Sequence, residues 1–294
     1  MVSRDQKIWR IVAHIVMILL SALALLPFIL LIIASFTDET IALLNGYSYF
    51  PEKWSLGAYK YIWQNKGTFV SAYGMTILVT FVGTVVSVVL TALTGYVLSK
   101  RNLPGVKLMN LFTIFTMLFN GGLVATYINY VTVFNIKDTI FALLVPNLLM
   151  NAFMIMLVKN YFANSIPEEI YESARIDGAN EFVIFIKLVL PLSVPILATV
   201  GLMGGIAYWN DWQNSLYYID DKSMYTIQAV LNSINEGVSA IASLGGASGI
   251  SMAELPTTTI RMAVAVVGIL PIIVIYPFFQ KYFAKGLMAG SVKG

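Results

Sequence analysis

The sequence predicts an all-α integral membrane protein with six transmembrane helices. Of its 294 residues, 58% are hydrophobic and only 11% are charged, whereas a soluble domain carries roughly 25% charged residues. A water-soluble fold of this length would have too few charges to cover its surface, so a lipid bilayer is the solvent that fits. Six stretches are apolar over about 20 residues, the length that crosses a bilayer. They are residues 11–36, 73–98, 108–134, 140–158, 192–216 and 261–279.

The first stretch, residues 11–36, follows Arg4, Lys7 and Arg10 in the manner of a secretory signal peptide. Its apolar run continues to Ala34, which is longer than the hydrophobic region of a signal peptide. We therefore expect an uncleaved first helix, and we expect residues 1–294 to form a single transmembrane domain.

The lysines and arginines predict which side of the membrane each connection occupies, because they are enriched in cytoplasmic loops. Six spans place both termini on one side. With the termini in the cytoplasm, the inner segments hold 12 of the 18 lysines and arginines, and the outer segments hold six. We therefore expect both termini in the cytoplasm, together with residues 165–191 between the fourth and fifth helices. Residues 217–259 then form an outer loop.

Part of this outer loop, residues 237–251, is small and uncharged, with four glycines and four serines. Such a composition is typical of a flexible linker. The alternative is a thin finger that enters a cleft of another protein. For the second interpretation the candidate contact residues are Gly245, Gly246, Ser248 and Gly249.

Polar residues inside the predicted spans are candidates for a translocation path. Asn120 and Gly121 lie mid-way along the third span, where irregular backbone is tolerated only against protein or water. Close helix packing is the alternative to a gate there. Asn147 and Asn151 are four residues apart and would share one face of the fourth span. Hydrogen bonds between helices would explain these two asparagines equally well.

Trp209, Asn210 and Asp211 stand near the outer end of the fifth span. An aromatic belt at the membrane interface would account for the tryptophan. A sugar-facing wall is the alternative, because sugars are bound by aromatic faces together with hydrogen bonds from amides and carboxylates.

Residues 165–191, which we call the acidic segment, interrupt this apolar chain with five carboxylates and two basic residues. Ser165 fits the cap of a short helix, and Gly178 is placed to end that helix in a left-handed conformation. Asn180 can cap a second helix. Small residues gather at the turn, so the backbone of another protein could approach closely there. A solvated surface loop is the alternative.

The sequence gives no sign of an enzyme or a metal site. It lacks the motifs G-x-x-x-x-G-K-[ST], G-x-S-x-G and H-E-x-x-H. It has no cysteine and one histidine, and its net charge of +3 is too small to suggest nucleic-acid binding. The first four spans contain no Asp or Glu, which a proton-coupled carrier would need. For a membrane enzyme acting on lipid-linked sugars, the candidates are Asp211 and the pair Asp220 and Asp221.

A motif within the acidic segment carries a family resemblance. Glu172, Ser173, Ala174 and Gly178 are followed at fixed spacing by Leu188, Leu190 and Pro191. This arrangement resembles the E-A-A-x-x-x-G-x(9)-I-x-L-P loop in the membrane subunits of binding-protein-dependent ABC importers. Ser173 replaces an alanine and Leu188 replaces the isoleucine. The stretches MLFNGGL, at residues 117–123, and KYFAKGLMAGSVKG, at the end of the chain, resemble the oligosaccharide branch of the maltose-type permeases.

The resemblance implies a permease subunit that imports an oligosaccharide by alternating access through the cytoplasmic (inner) membrane of a bacterium. It implies a second, homologous permease subunit, two ATPase subunits that hold ATP and Mg, and an extracytoplasmic sugar-binding protein. This chain would bind no cofactor and catalyse no reaction. A non-sugar solute and a secondary carrier are alternatives. The residues expected to couple the chain to an ATPase are Glu172, Ser173, Ala174, Asp177, Gly178, Leu190 and Pro191.

Overall fold

The computed structural model describes residues 4–100, 102–244 and 258–289, where the regular elements are helices and an isolated β-bridge pairs Thr37 with Trp54. The first eight helices are α1 (Arg4–Ser35), α2 (Glu39–Asn45), α3 (Gly57–Gln64), α4 (Lys66–Ser99), α5 (Val106–Leu118), α6 (Leu123–Ile128), α7 (Ile140–Leu144) and α8 (Ala152–Ser165). The others are α9 (Glu168–Ile176), α10 (Glu181–Ile184), α11 (Leu190–Leu192), α12 (Val194–Trp209), α13 (Gln213–Tyr218), α14 (Ile227–Leu244) and α15 (Thr258–Ala289). Asn129–Val133 and Phe185–Val189 are π-helical, and Lys222–Met224 is a 3₁₀ turn.

Three helices in the described part of the chain are long and apolar enough to cross a membrane. They contain Gln6–Ser35, Lys66–Ser99 and Thr258–Phe278, so the first, second and sixth predicted stretches are helical except for residue 36. All three helices begin before the predicted starts, and the second and third of them also end beyond the predicted ends. Two bent pairs raise the number to five if each pair is one span. The pairs are Val106–Leu118 with Leu123–Val133, bent by 117°, and Glu181–Leu192 with Val194–Trp209, bent by 80°.

A continuous helix over residues 108–134 is wrong, because the chain breaks between α5 and α6. Gly122 has φ 83° and ψ 164°, a conformation that glycine reaches without steric cost. The Asn120 Oδ1 atom accepts a hydrogen bond from the Gly122 N–H at 2.8 Å and satisfies a backbone donor released by the break. The asparagine and glycines in this stretch therefore interrupt the helix instead of packing within it.

A continuous helix over residues 140–158 is also wrong. Helix α7 ends at Leu144; Pro146 supplies no backbone N–H, and Asn147 has φ 62°. Helix α8 then begins at Ala152, where the Asn151 side chain accepts a hydrogen bond from the Met154 N–H. Asn147 and Asn151 consequently do not share a helix face.

The predicted helix over residues 192–216 and the predicted outer loop over residues 217–259 both need correction. The helix bends at Ser193 and α12 ends at Trp209, after which α13 starts separately. The loop contains α14, so residues 237–244 are helical and do not form a linker. Apolar residues at helical spacing, beginning with the buried Ile227 and Val230, give α14 one face to bury.

Two compact units divide the described chain: residues of 1–69 and 231–270 form the first, and residues of 70–230 and 271–294 form the second. In the first unit the Glu39 carboxylate accepts the backbone N–H groups of Thr258 at 2.7 Å and Thr259 at 2.9 Å. These donors at the start of α15 would otherwise lack partners.

Helix α1, also in the first unit, has no buried residue along its most apolar 18-residue window.

In the second unit, α4 approaches its neighbours through glycine. A Cβ atom on Gly83 would lie 2.5 Å from the Tyr208 ring, and one on Gly95 would lie 3.0 Å from Val158 Cγ1. The absence of side chains therefore lets α12 and α8 pack closely against α4. The core that results is formed by Ala92, Tyr96, Met154, Val158, Phe162, Ile166, Tyr171, Ala174, Ile184, Phe185, Val189, Ile196 and Val200.

Candidate functional site

The acidic segment contains two helices joined by a turn at Gly178. Gly178 has φ 80°, the left-handed conformation predicted for it. Its N–H donates to the Arg175 carbonyl, and the Ala179 N–H donates to the Ala174 carbonyl, both at 3.0 Å. This pair of bonds is the Schellman pattern that ends a helix at a glycine. Asn180 caps α10 as predicted, since its Oδ1 accepts from the Val183 N–H at 2.9 Å.

Ser165 does not cap the first of these helices, contrary to the prediction. It is the last residue of α8, and α9 begins at Glu168 with Pro167 in the cap position. The residue before a proline is pushed towards extended backbone, and Ile166 has φ −109° and ψ 114°. Proline therefore delays the helix start by keeping Ile166 out of the helical region.

The residues of the motif divide between the surface and the core. Ala174 is buried, Leu190 is half-buried, and Glu172, Ser173, Asp177, Gly178 and Pro191 are exposed. Two apolar side chains beside the turn are also exposed: Ile176 to 86% and Phe182 to 68%. Their significance was missed in the sequence. The available signal was helical spacing, because Tyr171 and Ala174 define the buried face of α9 and Ile176 lies off that face.

A polar network ties the acidic segment to the end of α4. The Tyr96 hydroxyl donates to Glu181 Oε2 at 2.6 Å, and Arg175 Nε donates to Glu181 Oε1 at 2.9 Å. Arg175 Nη1 also lies 3.6 Å from Glu168 Oε1. The hydrogen bond to Glu181 is the main reason that the pKa of Arg175 is raised. The sequence could not identify this network, because its members come from separate helices.

Lys100 adds a cation to the same junction. Its Nζ lies 3.2 Å from the ring centroid of Tyr171 and 4.9 Å from that of Tyr96, an arrangement in which the aromatic face attracts the ammonium. Burial lowers the pKa of Lys100, and burial raises the pKa of Tyr171 to about 12. These residues, together with Glu168 and Glu172, line a cavity of about 720 Å³.

The candidate path residues Trp209, Asn210 and Asp211 lie at the carboxyl end of α12 and before α13. Trp209 is 5% exposed and lines an otherwise largely aliphatic cavity of about 430 Å³ with Thr80 and Thr84. Asn210 accepts a hydrogen bond from Gln228 Nε2 at 3.3 Å. Asp211 Oδ1 accepts the N–H groups of Gln213 and Asn214, at 3.2 and 3.3 Å, and so satisfies two backbone donors in the first turn of α13.

Two buried residues bring this end of α12 to the interruption between α7 and α8. The Tyr208 hydroxyl donates to the Leu144 carbonyl at 2.8 Å, and Asn214 Nδ2 donates to the Pro146 carbonyl at 3.0 Å. The carbonyls freed by the interruption thereby gain partners. Sequence reasoning missed both residues, although the position of Tyr208 directly before Trp209 was a possible signal.

The other candidate path residues lie at helix interruptions. Asn120 and Gly121 are exposed between α5 and α6, and Asn147 is exposed between α7 and α8. Asn151 is half-buried as the cap of α8. The candidate finger residues Gly245, Gly246, Ser248 and Gly249 lie outside the described residues.

The acids considered for a membrane enzyme connect the turn before α7 to the turn after α13. Asp220 Oδ2 pairs with Lys137 Nζ at 2.7 Å, and Asp138 Oδ1 accepts the N–H groups of Asp220 at 2.6 Å and Asp221 at 3.1 Å. Asp221 in turn accepts from the Ser223 N–H at 2.9 Å. Across the described ranges, no three His, Cys, Asp or Glu side chains are grouped to hold a metal ion.

The chain is similar in sequence to known membrane transport components. Residues 93–288 match the family described as binding-protein-dependent transport system inner membrane component. The chain is 38% identical over 275 residues to the protein LplC of Bacillus subtilis (strain 168), covering 93% of this chain and 90% of LplC. It is also 38% identical over 281 residues to the polygalacturonan/rhamnogalacturonan transport system permease protein YtcP of the same organism, covering 95% and 96% of the two chains.

A solved structure shows the same fold. It is the crystal structure of a bacterial ABC transporter involved in the import of the acidic polysaccharide alginate. Its matching chain has a TM-score of 0.78 and 29% sequence identity to this protein, and the match covers 96% of this chain and 99% of the other.

Proposed function

Because the chain belongs to the family of inner membrane components of binding-protein-dependent transport systems, we propose that it is the membrane-spanning permease subunit of an ATP-driven oligosaccharide importer. The family consists of transport components and not of enzymes, so ATP hydrolysis belongs to partner subunits. The observation that carries the proposal is the acidic segment, where the turn at Gly178 presents acidic and apolar side chains on a well-packed base.

The exposed surface around Gly178 fits docking to an ATPase subunit. Ile176 and Phe182 supply apolar anchors, and Glu172 and Asp177 supply an acidic rim. Anchors surrounded by polar residues are the usual composition of a protein interface. Apart from Gly178 itself and its two chain neighbours, no heavy atom of the described chain lies within 4 Å of a Cβ placed on Gly178, which leaves room for the backbone of a partner. The partner groove should therefore combine an apolar pocket with basic side chains.

The topology that suits this role has six spans, with both termini and the acidic segment in the cytoplasm. The third span combines α5 with α6, the fourth combines α7 with α8, and the fifth runs through α11 and α12. The distribution of lysine and arginine supports this arrangement. The chain then resides in the cytoplasmic membrane of a bacterium.

Alternating access is the proposed mechanism, and the bends of 117° and 80° in two spans are its candidate hinges. The sugar path would pass the interruptions at Asn120, Gly121, Asn147 and Asn151 and the helix ends at Trp209, Asn210 and Asp211. A second permease subunit would complete the path and cover apolar helix surface such as that of α1. Two ATPase subunits would bind ATP and Mg, while this chain would bind no cofactor.

The outer partner would be a sugar-loaded binding protein. We assign Gly245, Gly246, Ser248 and Gly249 to that contact, on the small and uncharged composition of the stretch. An acidic oligosaccharide is the first substrate class to test, because the name of one relative specifies polygalacturonan/rhamnogalacturonan and the solved structure is of an alginate importer. Neutral oligosaccharides form the comparison class, since another relative is named for arabinooligosaccharides.

Reconstitution tests the function directly. The chain would be assembled in proteoliposomes with a second permease, an ATPase and a binding protein from the same organism, and uptake of acidic and neutral oligosaccharides would be measured. We expect ATP-dependent uptake of an oligosaccharide and ATP hydrolysis that rises with loaded binding protein. Uptake of a non-sugar solute alone would overturn the substrate class. Tight ATP binding by the purified chain without its ATPase would overturn the subunit assignment.

A further inference from the structure

We propose that Glu181 and Tyr96 are positioning residues that join the acidic segment to α4, so that motion received at the Gly178 turn passes directly into a long apolar helix. The proposal rests on the coupling function argued above and adds a route inside this chain. Glu181 occupies one of the nine positions that the motif leaves unspecified between Gly178 and Leu188, and Tyr96 lies 85 residues before Glu181 in the sequence.

The carboxylate of Glu181 bridges two helices because each of its oxygens has a different donor. Oε2 accepts the Tyr96 hydroxyl from α4 at 2.6 Å, and Oε1 accepts Arg175 Nε from α9 at 2.9 Å. Hydrogen bonds to an ionised group are roughly twice as strong as neutral ones and are directional. The carboxylate therefore fixes the angle between the acidic segment and α4 more narrowly than apolar packing would.

The bridge closes across the turn that faces the proposed partner. Arg175 and Glu181 are six residues apart on either side of Gly178. A force applied at Ile176 or Phe182 thus acts on a closed loop whose polar connection leads to Tyr96. The turn cannot tilt far without breaking either the Arg175 bond or the Tyr96 bond.

The end of α4 is held firmly enough to receive such a force. Tyr96 is 8% exposed, and its ring centroid lies 5.1 Å from that of Phe185 and 6.5 Å from that of Tyr171. One helical turn later, Lys100 Nζ sits 3.2 Å from the Tyr171 ring centroid. Two contacts one turn apart resist rotation of the acidic segment about either contact.

Helix α4 is suited to transmit this motion because it is long and because it packs tightly against α12 farther along. Its 34 residues extend about 51 Å at helical rise. At Gly83 it meets the ring of Tyr208, whose hydroxyl binds the Leu144 carbonyl at the interruption between α7 and α8. A contiguous series of packed and hydrogen-bonded groups therefore runs from the turn at Gly178 to the candidate path, and networks of this kind carry energetic coupling between distant sites.

The test compares transport with ATP hydrolysis in the reconstituted importer. Tyr96→Phe removes the hydroxyl, Glu181→Ala removes the bridge, and the double variant removes both. We expect each variant to co-purify with the ATPase and to keep stimulated ATP hydrolysis near the wild-type rate. Sugar transported per ATP hydrolysed should fall at least about 5-fold, the lower end of typical coupling between sites. The double variant should fall no further than Glu181→Ala, because both changes break one connection.

Glu169→Gln is the matched control, since it removes one exposed carboxylate from α9 and leaves the bridge intact; its transport per ATP should equal that of the wild type. An unchanged ratio in Tyr96→Phe and Glu181→Ala would overturn the proposal. A parallel loss of transport, hydrolysis and thermal stability would also overturn it, because the bridge would then be merely structural. Failure of the coupling function itself would look different: the wild-type chain would not co-purify with the ATPase at all.

Discussion

At the residue scale, the acidic segment depends on a backbone conformation that few residues accept. Gly178 occupies the left-handed region with φ 80°, and the two Schellman hydrogen bonds that follow require that conformation. A β-branched residue with positive φ is a genuine outlier. The turn that we propose to dock with the ATPase is therefore sensitive to substitution through its backbone alone.

Gly178→Val should abolish oligosaccharide uptake, because the left-handed conformation would cost about 1–3 kcal/mol and the new side chain would stand in the docking surface. Gly105→Val is a matched control: Gly105 has φ 81° and the same open surroundings, so it bears the same strain outside the acidic segment. The Gly105→Val variant should retain most of the wild-type oligosaccharide uptake, as measured in proteoliposomes.

Gly178→Asn separates the two causes, since asparagine tolerates the left-handed region. Uptake lost in this variant would place the effect in docking, and uptake retained would place it in the backbone. Wild-type uptake by Gly178→Val would contradict the role assigned to the turn.

At the element scale, the helices are positioned by close packing at glycines and by breaks whose backbone groups are hydrogen-bonded to other helices. Helix α4 brings Gly83 under the ring of Tyr208, which is 1% exposed. The same tyrosine satisfies the Leu144 carbonyl at the end of α7. The contact between α4 and α12 and the interruption of the fourth predicted span therefore depend on the same side chain.

Two Gly→Ala changes on α4 should act in opposite directions. Gly83→Ala should destabilise the chain by about 1–3 kcal/mol, the usual range for overpacking, because its Cβ would lie 2.5 Å from the Tyr208 ring. The methyl group of Gly74→Ala meets no atom within 4 Å beyond its chain neighbours and the adjacent backbone of α4, and it should stabilise the helix by up to about 1 kcal/mol. Thermal unfolding of the detergent-solubilised protein measures both. Equal midpoints for the two variants would mean that α4 and α12 do not pack this closely.

At the scale of the whole molecule, the number of spans decides which surfaces face which partner. The fourth predicted span is the least regular, because α7 has five residues and α8 follows a seven-residue interruption. If α7 and α8 together cross the membrane, the residues before α7 and those of the acidic segment lie on opposite sides.

The absence of native cysteine allows that arrangement to be tested with single cysteines and a membrane-impermeant maleimide. Asn135→Cys should react in intact cells, whereas Asp177→Cys should react only after the cytoplasmic membrane is opened. Both positions are exposed in the structure. Glu52→Cys and Asn102→Cys, at exposed positions flanking α4, are the controls for the outer and inner sides. Identical labelling of Asn135→Cys and Asp177→Cys would reduce the spans to five and move the acidic segment outside.

Local features of this protein were determined by neighbouring residues in the sequence. The apolar stretches gave the long helices α1, α4 and α15 because burial in lipid needs about 20 apolar residues in a row. Gly178 and Asn180 gave their turn and cap because a left-handed glycine and an asparagine oxygen act on backbone groups two to five residues away. The motif that begins at Glu172 could be identified in the sequence because its residues also lie close together along the chain.

Long-range features were decided by the tertiary structure. Residues 140–158 are apolar enough for one helix, although Pro146 disfavours a continuous one. The break is stabilised by Tyr208 and Asn214, more than 60 residues later, which bind the carbonyls that it releases. The Tyr96–Glu181 bridge likewise joins residues 85 apart. Hydropathy measures the preference of a segment for lipid, but a buried backbone group needs a specific partner. Only the path of the chain brings that partner within 3 Å.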